Sequence, residues 1–255
     1  MTRYSKSNTY DMRRLKLLLL LVLASAASIA QDTFSIVAID PETGEVGAAG
    51  ASCVDLAEYG IEDASFLGVL MPGMFAMNTQ AYYDSTNQAN AKELLQQEFT
   101  PTEVITWLHL NDVNDTPEVR QYGIVAFVDG EPQSEGYTGA QNMDYANHIV
   151  GENYAIQGNI LLGPEVLEKM EENFNSTEGS LAEKLMAALE GAKIVGADSR
   201  CSENESSSLF AFVKVAAPDD EPGEPSLKLQ VITKAGDKIE PITELRKKFD
   251  EAMEQ

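Results

Sequence analysis

Two cysteines, two histidines and one tryptophan are all that 255 residues contain of those types, and 18 lysines and arginines stand against 41 aspartates and glutamates. Each shortage excludes something. Zinc centres need clustered sulfur and imidazole ligands, which Cys53, Cys201, His109 and His148 do not supply. A serine–histidine–aspartate hydrolase of the nucleophile-elbow kind needs G-x-S-x-G, and that pattern is missing. No phosphate-binding loop and no dinucleotide glycine pattern occurs, so neither a metal nor a cofactor is expected. "GAAG" at 47–50 is only a set of small residues in a strand. A net charge of −23 repels nucleic acid and anionic lipid, which bind through basic patches. No nucleic-acid partner is expected.

What is present begins with a leader. Arg13, Arg14 and Lys16 precede "LLLLLVLASAASIA", an apolar run that starts at Leu17 and ends in small residues. This is the order of a secretory signal, with Ala30 its expected last residue. The run is short for a membrane span, although a retained anchor is the alternative. Met12, directly before Arg13, is a second candidate start besides Met1. The expected product is exported to the periplasm or the extracellular space, with no stable membrane span. Without residues 1–30 it carries 13 basic and 40 acidic residues, a net charge of −27. The acidic run "PDDEPGE" at 218–224 lacks the spacing of a calcium loop and reads as a solvated turn.

Residues 31–255 read as one domain without repeats or a long linker. "TFSIVAID", the turn "PETGE" and "VGAAGASC" form a hairpin, and its small residues let another layer come close. "SFLGVLMPG" and "MFAMNTQAYY" are two more strands joined at Pro72-Gly73. Helices follow in "TNQANAKELLQQE" and in "PTEVITWLHL", capped by Thr100. A second hairpin turns at Asp129-Gly130, and "HIVGENYAIQGNIL" holds another strand pair. "PEVLEKMEENF" and "LAEKLMAALEGAK", capped by Ser180, are helical. "SSLFAFVKVA", "LKLQVIT" and the helix "ITELRKKFDEAM" close the chain. Roughly eight strands in hairpins, with helices segregated from them, predict an α+β fold of two stacked antiparallel sheets between helical layers.

The chemistry is narrower. His109, in an amphipathic helix, reads as a structural residue, and His148 suits a turn. Cys53 and Cys201 have two roles open to them, a disulfide or a cysteine nucleophile working with His148. The remaining candidate is Thr33, at the head of an apolar strand just after the leader. A threonine that is the first residue carries its own base, an α-amine of pKa about 7.7–8.0. Such an enzyme needs no histidine. Otherwise Thr33 simply begins a strand.

"TFSIVAIDPETGEVGAAGASC", "NTQAYY", "RQYGIVAF", "YTGA", "YAIQGNILLGPEV" and "GADSRC…SSLFAF", in that order, resemble the domain-of-unknown-function 1028 family. That family is grouped with the N-terminal nucleophile (Ntn) hydrolases, so the resemblance implies their four-layer αββα sandwich. It implies Thr33 as nucleophile and α-amine base once processing exposes it, Gln157 and Asn159 as oxyanion donors or substrate-orienting groups, and Thr79, Gln80, Asp198 and Arg200 as substrate-binding residues. Gln121, Thr138, Gly139 and Gly158 match the family as well. The substrate implied is a small-molecule or peptide-like amide. A homo-oligomer stays open, as does a non-catalytic secreted binding module on the same fold. Two departures stand out. Cleavage after Ala30 leaves Gln31 and Asp32 ahead of Thr33, and neither "SFLGVLMPG" nor "MFAMNTQ" carries the lysine of proteasome-like sites.

Overall fold

The computed structural model describes residues 30, 31 and 33–254. The predicted leader lies outside the described residues except for Ala30. Eleven strands are described: β1 (Ala30–Gln31), β2 (Thr33–Ile39), β3 (Val46–Ser52), β4 (Gly68–Met71), β5 (Phe75–Tyr82), β6 (Arg120–Val128), β7 (Glu131–Thr138), β8 (Asn147–Val150), β9 (Tyr154–Gly158), β10 (Phe210–Ala216) and β11 (Leu227–Ile232). Five α-helices accompany them: α1 (Ser85–Gln96), α2 (Pro101–Leu110), α3 (Glu165–Ser176), α4 (Leu181–Gly191) and α5 (Pro241–Met253). The expectation of roughly eight strands is too low: every segment read as a strand appears, as β2 to β11, and β1 is added, its two residues too few for alternation to register.

Local chemistry explains the boundaries. Thr100 and Glu103 form a reciprocal capping box with Pro101 at the first position of α2, and Ser180 with Glu183 does the same for α4. Asp129 and Gly130 both have positive φ, 53° and 87°, the backbone that a two-residue hairpin between β6 and β7 requires.

All pairings are antiparallel. One sheet runs β11-β10-β3-β2-β9-β8, and the other runs β5-β6-β7 with β4 and β1 along the free edge of β5. Strand alternation gives each sheet two faces. Phe34, Ile36, Ala49, Ala51 and Val213 pack against α3, α4 and α5 through Leu167, Met170, Leu185, Leu189 and Phe249. Met77, Tyr122 and Ile124 pack against α1 and α2 through Ala91, Leu95, Val104 and Leu108. Val37, Ile39, Val46, Ala48, Ala76, Val125 and Phe212 fill the space between the sheets. The small residues of β3 have the expected use: a Cβ on Gly47 would sit 2.5 Å from Leu185 Cδ1 of α4.

One buried ion pair ties α1, the loop after α2 and the two central strands of the smaller sheet. Asp112 accepts from Arg120 Nε at 2.7 Å and Nη2 at 3.2 Å, from Asn87 Nδ2, and from the backbone N–H groups of Asn114 and Thr116. Arg120 Nη1 donates to Tyr82 O. Burial alone would raise the Asp112 carboxyl, but these donors outweigh it and hold it well below the usual carboxylate range. Asp112→Ala strands Arg120 and is expected to cost about 3–5 kcal/mol in urea unfolding at pH 7. Because the folded state lowers this pKa, the contribution is complete above the unfolded value of about 3.9 and fades as pH falls below it. The difference between wild type and variant should shrink in acid.

Candidate functional site

The space between the sheets changes character along its length. One half is apolar. The other is lined by Thr33, Ser35, Ser52, Gln80, Gln121, Gln157 and Asn159, every one of them buried. Thr33 opens β2, between β3 and β9 in the interior of the larger sheet, and is 0% exposed. Alternation turns Thr33 and Ser35 toward the smaller sheet, from which Gln80 and Gln121 reach back.

Gln121 is the hub. Its Oε1 accepts from Gln80 Nε2 at 2.7 Å and from Asn159 Nδ2 at 2.9 Å. Its Nε2 lies 2.9 Å from Thr138 Oγ1, 3.1 Å from Asn147 O and 2.8 Å from Gly158 O. The Thr33 carbonyl accepts from Gln80 Nε2 and from the Asn159 backbone N–H, both at 3.1 Å. One pleat further in, Ser35 Oγ donates to Gln80 Oε1 at 2.6 Å and accepts from Gln157 Nε2 at 2.5 Å. Gln157 Oε1 is buried with no hydrogen-bond partner among the described residues. The network reaches His148 through Thr138 Oγ1, 2.9 Å from Nδ1. Burial lowers the His148 pKa against the pull of Glu135 and favours the neutral ring.

Asp198 and Arg200 stand at the same end of the larger sheet. Ser52 pairs with Thr33, and the N–H of the next residue, Cys53, donates to Asp198 Oδ2 at 2.7 Å. Arg200 holds that carboxylate with two bonds, Nε to Oδ1 at 3.1 Å and Nη2 to Oδ2 at 2.8 Å. Burial pushes the Asp198 carboxyl up, opposed by Arg200 and the Cys53 N–H. Cys53 and Cys201 form a disulfide with Cα atoms 5.7 Å apart, so Cys53 has no thiol to act as a nucleophile.

Thr79 is placed elsewhere. Neighbours in a strand face opposite ways, so with Gln80 turned inward Thr79 points outward, where it accepts from Gln88 of α1 at 2.9 Å. It belongs to the packing of α1 and not to the Thr33 cluster. His109 is on the surface of α2, 3.3 Å from Tyr137 Oη. Among the described residues no three His, Cys, Asp or Glu side chains gather as a metal would need, and no helix is long and apolar enough to cross a membrane.

The sequence profile of the Family of unknown function (DUF1028) matches residues 33–245, beginning at Thr33 itself. The chain belongs to the DUF1028 family. Its fold is similar to the crystal structure of protein SPO2555 from Silicibacter pomeroyi, assigned to DUF1028, with a TM-score of 0.65 and 21% identity over 87% of this chain and 89% of that one. At that identity the likeness speaks for the fold alone. No curated protein is significantly similar to the chain.

In this DUF1028 protein the sequence pattern does not single out Ser35 or Ser52, and it does not connect His148 to the cluster. A signal for Ser35 is there: it stands two residues after Thr33 in an otherwise apolar strand, so it has to share Thr33's face. Ser52 and His148 join through cross-strand register, which a linear pattern does not carry.

Proposed function

We propose that this DUF1028 protein is an exported amidohydrolase on the four-layer αββα sandwich of the Ntn type, with Thr33 as its nucleophile once the residues before it are removed. The observation that carries the reading is the polar half of the layer between the sheets. Seven buried polar side chains surround the head of one central strand. Each buried amide or hydroxyl costs stability unless fully paired, and apolar residues would fill the same space at no such cost. Export is supported by the disulfide, which persists in oxidising compartments.

In the proposed reaction the Thr33 hydroxyl attacks the substrate carbonyl and its proton passes to the Thr33 α-amine. The oxyanion is held by N–H donors, for which Asn159, tied to Thr33 through its backbone N–H, is the candidate, while Gln157 supports Ser35. The amine then delivers the proton to the leaving nitrogen as the C–N bond breaks, and water hydrolyses the resulting ester. Gln80, through the Thr33 carbonyl, keeps the nucleophile in register. Asp198 and Arg200 brace the neighbouring end of β3, with Arg200 at the rim as the cation nearest a substrate carboxylate.

One observation favours a second reading, a secreted binding module without catalysis. Ala30 and Gln31 pair with Tyr82 and Ala81 of β5, and Thr33 is 0% exposed. Unprocessed, Thr33 has an amide in place of a free amine and lacks a base. Intact-mass and N-terminal analysis of protein recovered after export decides the matter. A chain starting at Thr33 supports the hydrolase. A chain that starts at Gln31 and stays unchanged on incubation overturns it and leaves the binding module.

A further inference from the structure

Three of the few cations of this acidic chain, each from a different element, line one cavity. A cavity of about 200 Å³ lies at the edge where β4 of the smaller sheet meets β10 and β11 of the larger, toward the opposite end of β10 from Thr33. Lys92 from α1, Lys214 from β10 and Lys228 from β11 all line it, and Glu221 is the sole carboxylate that does. These are three of the 13 basic residues after Ala30.

Two features of the lysines call for a counter-ion. Lys214 and Lys228 are direct cross-strand partners, an arrangement in which like charges repel. Lys214 is also 9% exposed and, among the described residues, has no carboxylate on its ammonium: Nζ donates to Ser65 O at 3.1 Å and Gly68 O at 2.7 Å, leaving a third N–H. Lys228 shares its charge with Asp63 at 2.8 Å. Three ammonium groups against Glu221 and Asp63 leave a local excess of one positive charge, in a protein that is negative overall.

We propose that this cavity is a binding site for a small oxyanion of the carboxylate or phosphate type, held by Lys92, Lys214 and Lys228. Ammonium groups bind such ligands as point charges, without the fork that arginine would impose. The oxyanion neutralises the facing pair Lys214 and Lys228 and satisfies the buried ammonium. The Lys214 pKa fits the site: burial brings it down to about 8, Asp63 pulls it up and Lys228 pushes it down. A bound anion favours the charged amine, so binding takes up protons near pH 8 and weakens as pH rises through that value.

Titration calorimetry of the full chain with sodium phosphate and, separately, sodium succinate, in sodium chloride of matched ionic strength, tests the proposal. One anion or both is expected to bind at one site per chain, and which one binds identifies the ligand class. Lys92→Gln, a partly exposed helix position that leaves the fold intact, and Lys214→Met should each weaken binding at least tenfold. The surface control Lys169→Gln should not. Absence of binding by both anions overturns the proposal, and so does equal weakening by Lys92→Gln and Lys169→Gln.

Discussion

Replacing Cys53 and Cys201 together by serine is expected to lower the unfolding free energy by about 5 kcal/mol, the chain-entropy value for so long a loop. The two cysteines are 148 residues apart, and the loop they close contains the whole smaller sheet except β1, together with α1 to α4. The bond joins the end of β3 to a short 3-10 turn over Ser199–Cys201. Much of its effect therefore falls on the unfolded chain, which loses the freedom to separate the halves of the larger sheet. A native-state part adds to this. Asp198 is 0% exposed and depends on the Cys53 N–H and on Arg200 for its pairing, so loosening Cys53 weakens a buried carboxylate's support. Urea unfolding of the oxidised wild type, the reduced wild type and the double serine variant measures the effect. The two forms lacking the bond should agree with each other and differ from the oxidised protein. A difference below about 1 kcal/mol would show that the unfolded state is already compact across this loop.

The fold is legible where the signal is local. A capping threonine with proline after it and glutamate three residues on announces α2 in the residues alone, and Asp-Gly at the end of the apolar run "YGIVAFV" announces the β6–β7 hairpin. Two antiparallel sheets with helices packed outside them follow from counting hairpins. The site is legible only in its components. Thr33, Gln80, Gln157, Asn159, Asp198 and Arg200 stand out by resemblance, yet nothing in their spacing says that Gln121 joins Gln80 to Asn159. That contact crosses from one sheet to the other, and register between sheets leaves no periodic trace. Thr79 shows the converse case. Strand alternation alone forbids it from sharing a face with Gln80, so two adjacent letters of "NTQAYY" are enough to separate the pair. Lys214 escapes notice because a lysine in "FAFVKVA" reads as the solvent side of a strand, whereas both faces of β10 are covered.

Removing the Thr33 hydroxyl is expected to abolish amide hydrolysis, with a fall in kcat/KM of about 10³-fold or more, the scale on which nucleophile knockouts act. The comparison is made on a chain whose first residue is Thr33, with chromogenic anilides and short peptide amides as substrates. Thr33 is buried in a paired strand, so a simple loss of activity in Thr33→Ala would not separate chemistry from damage to the fold. Two conservative replacements do. Thr33→Val keeps the β-branch and strand preference but has no hydroxyl, whereas Thr33→Ser keeps the hydroxyl and gives up the methyl group. Nucleophilic catalysis requires the serine chain to turn over and the valine chain to be inactive; a packing role reverses that order. The pH profile adds a second constraint. In the proposed mechanism the base is the α-amine, which must be neutral to take the proton, so kcat/KM should rise with pH through about 7.7–8.0. Acetylating that amine should remove activity while leaving the unfolding curve in place. A valine chain as active as wild type, or a profile indifferent to acetylation, would move the polar cluster from catalysis to ligand binding. Gln80, Gln121 and Asn159 would then be the contacts to test against an unreacted amide.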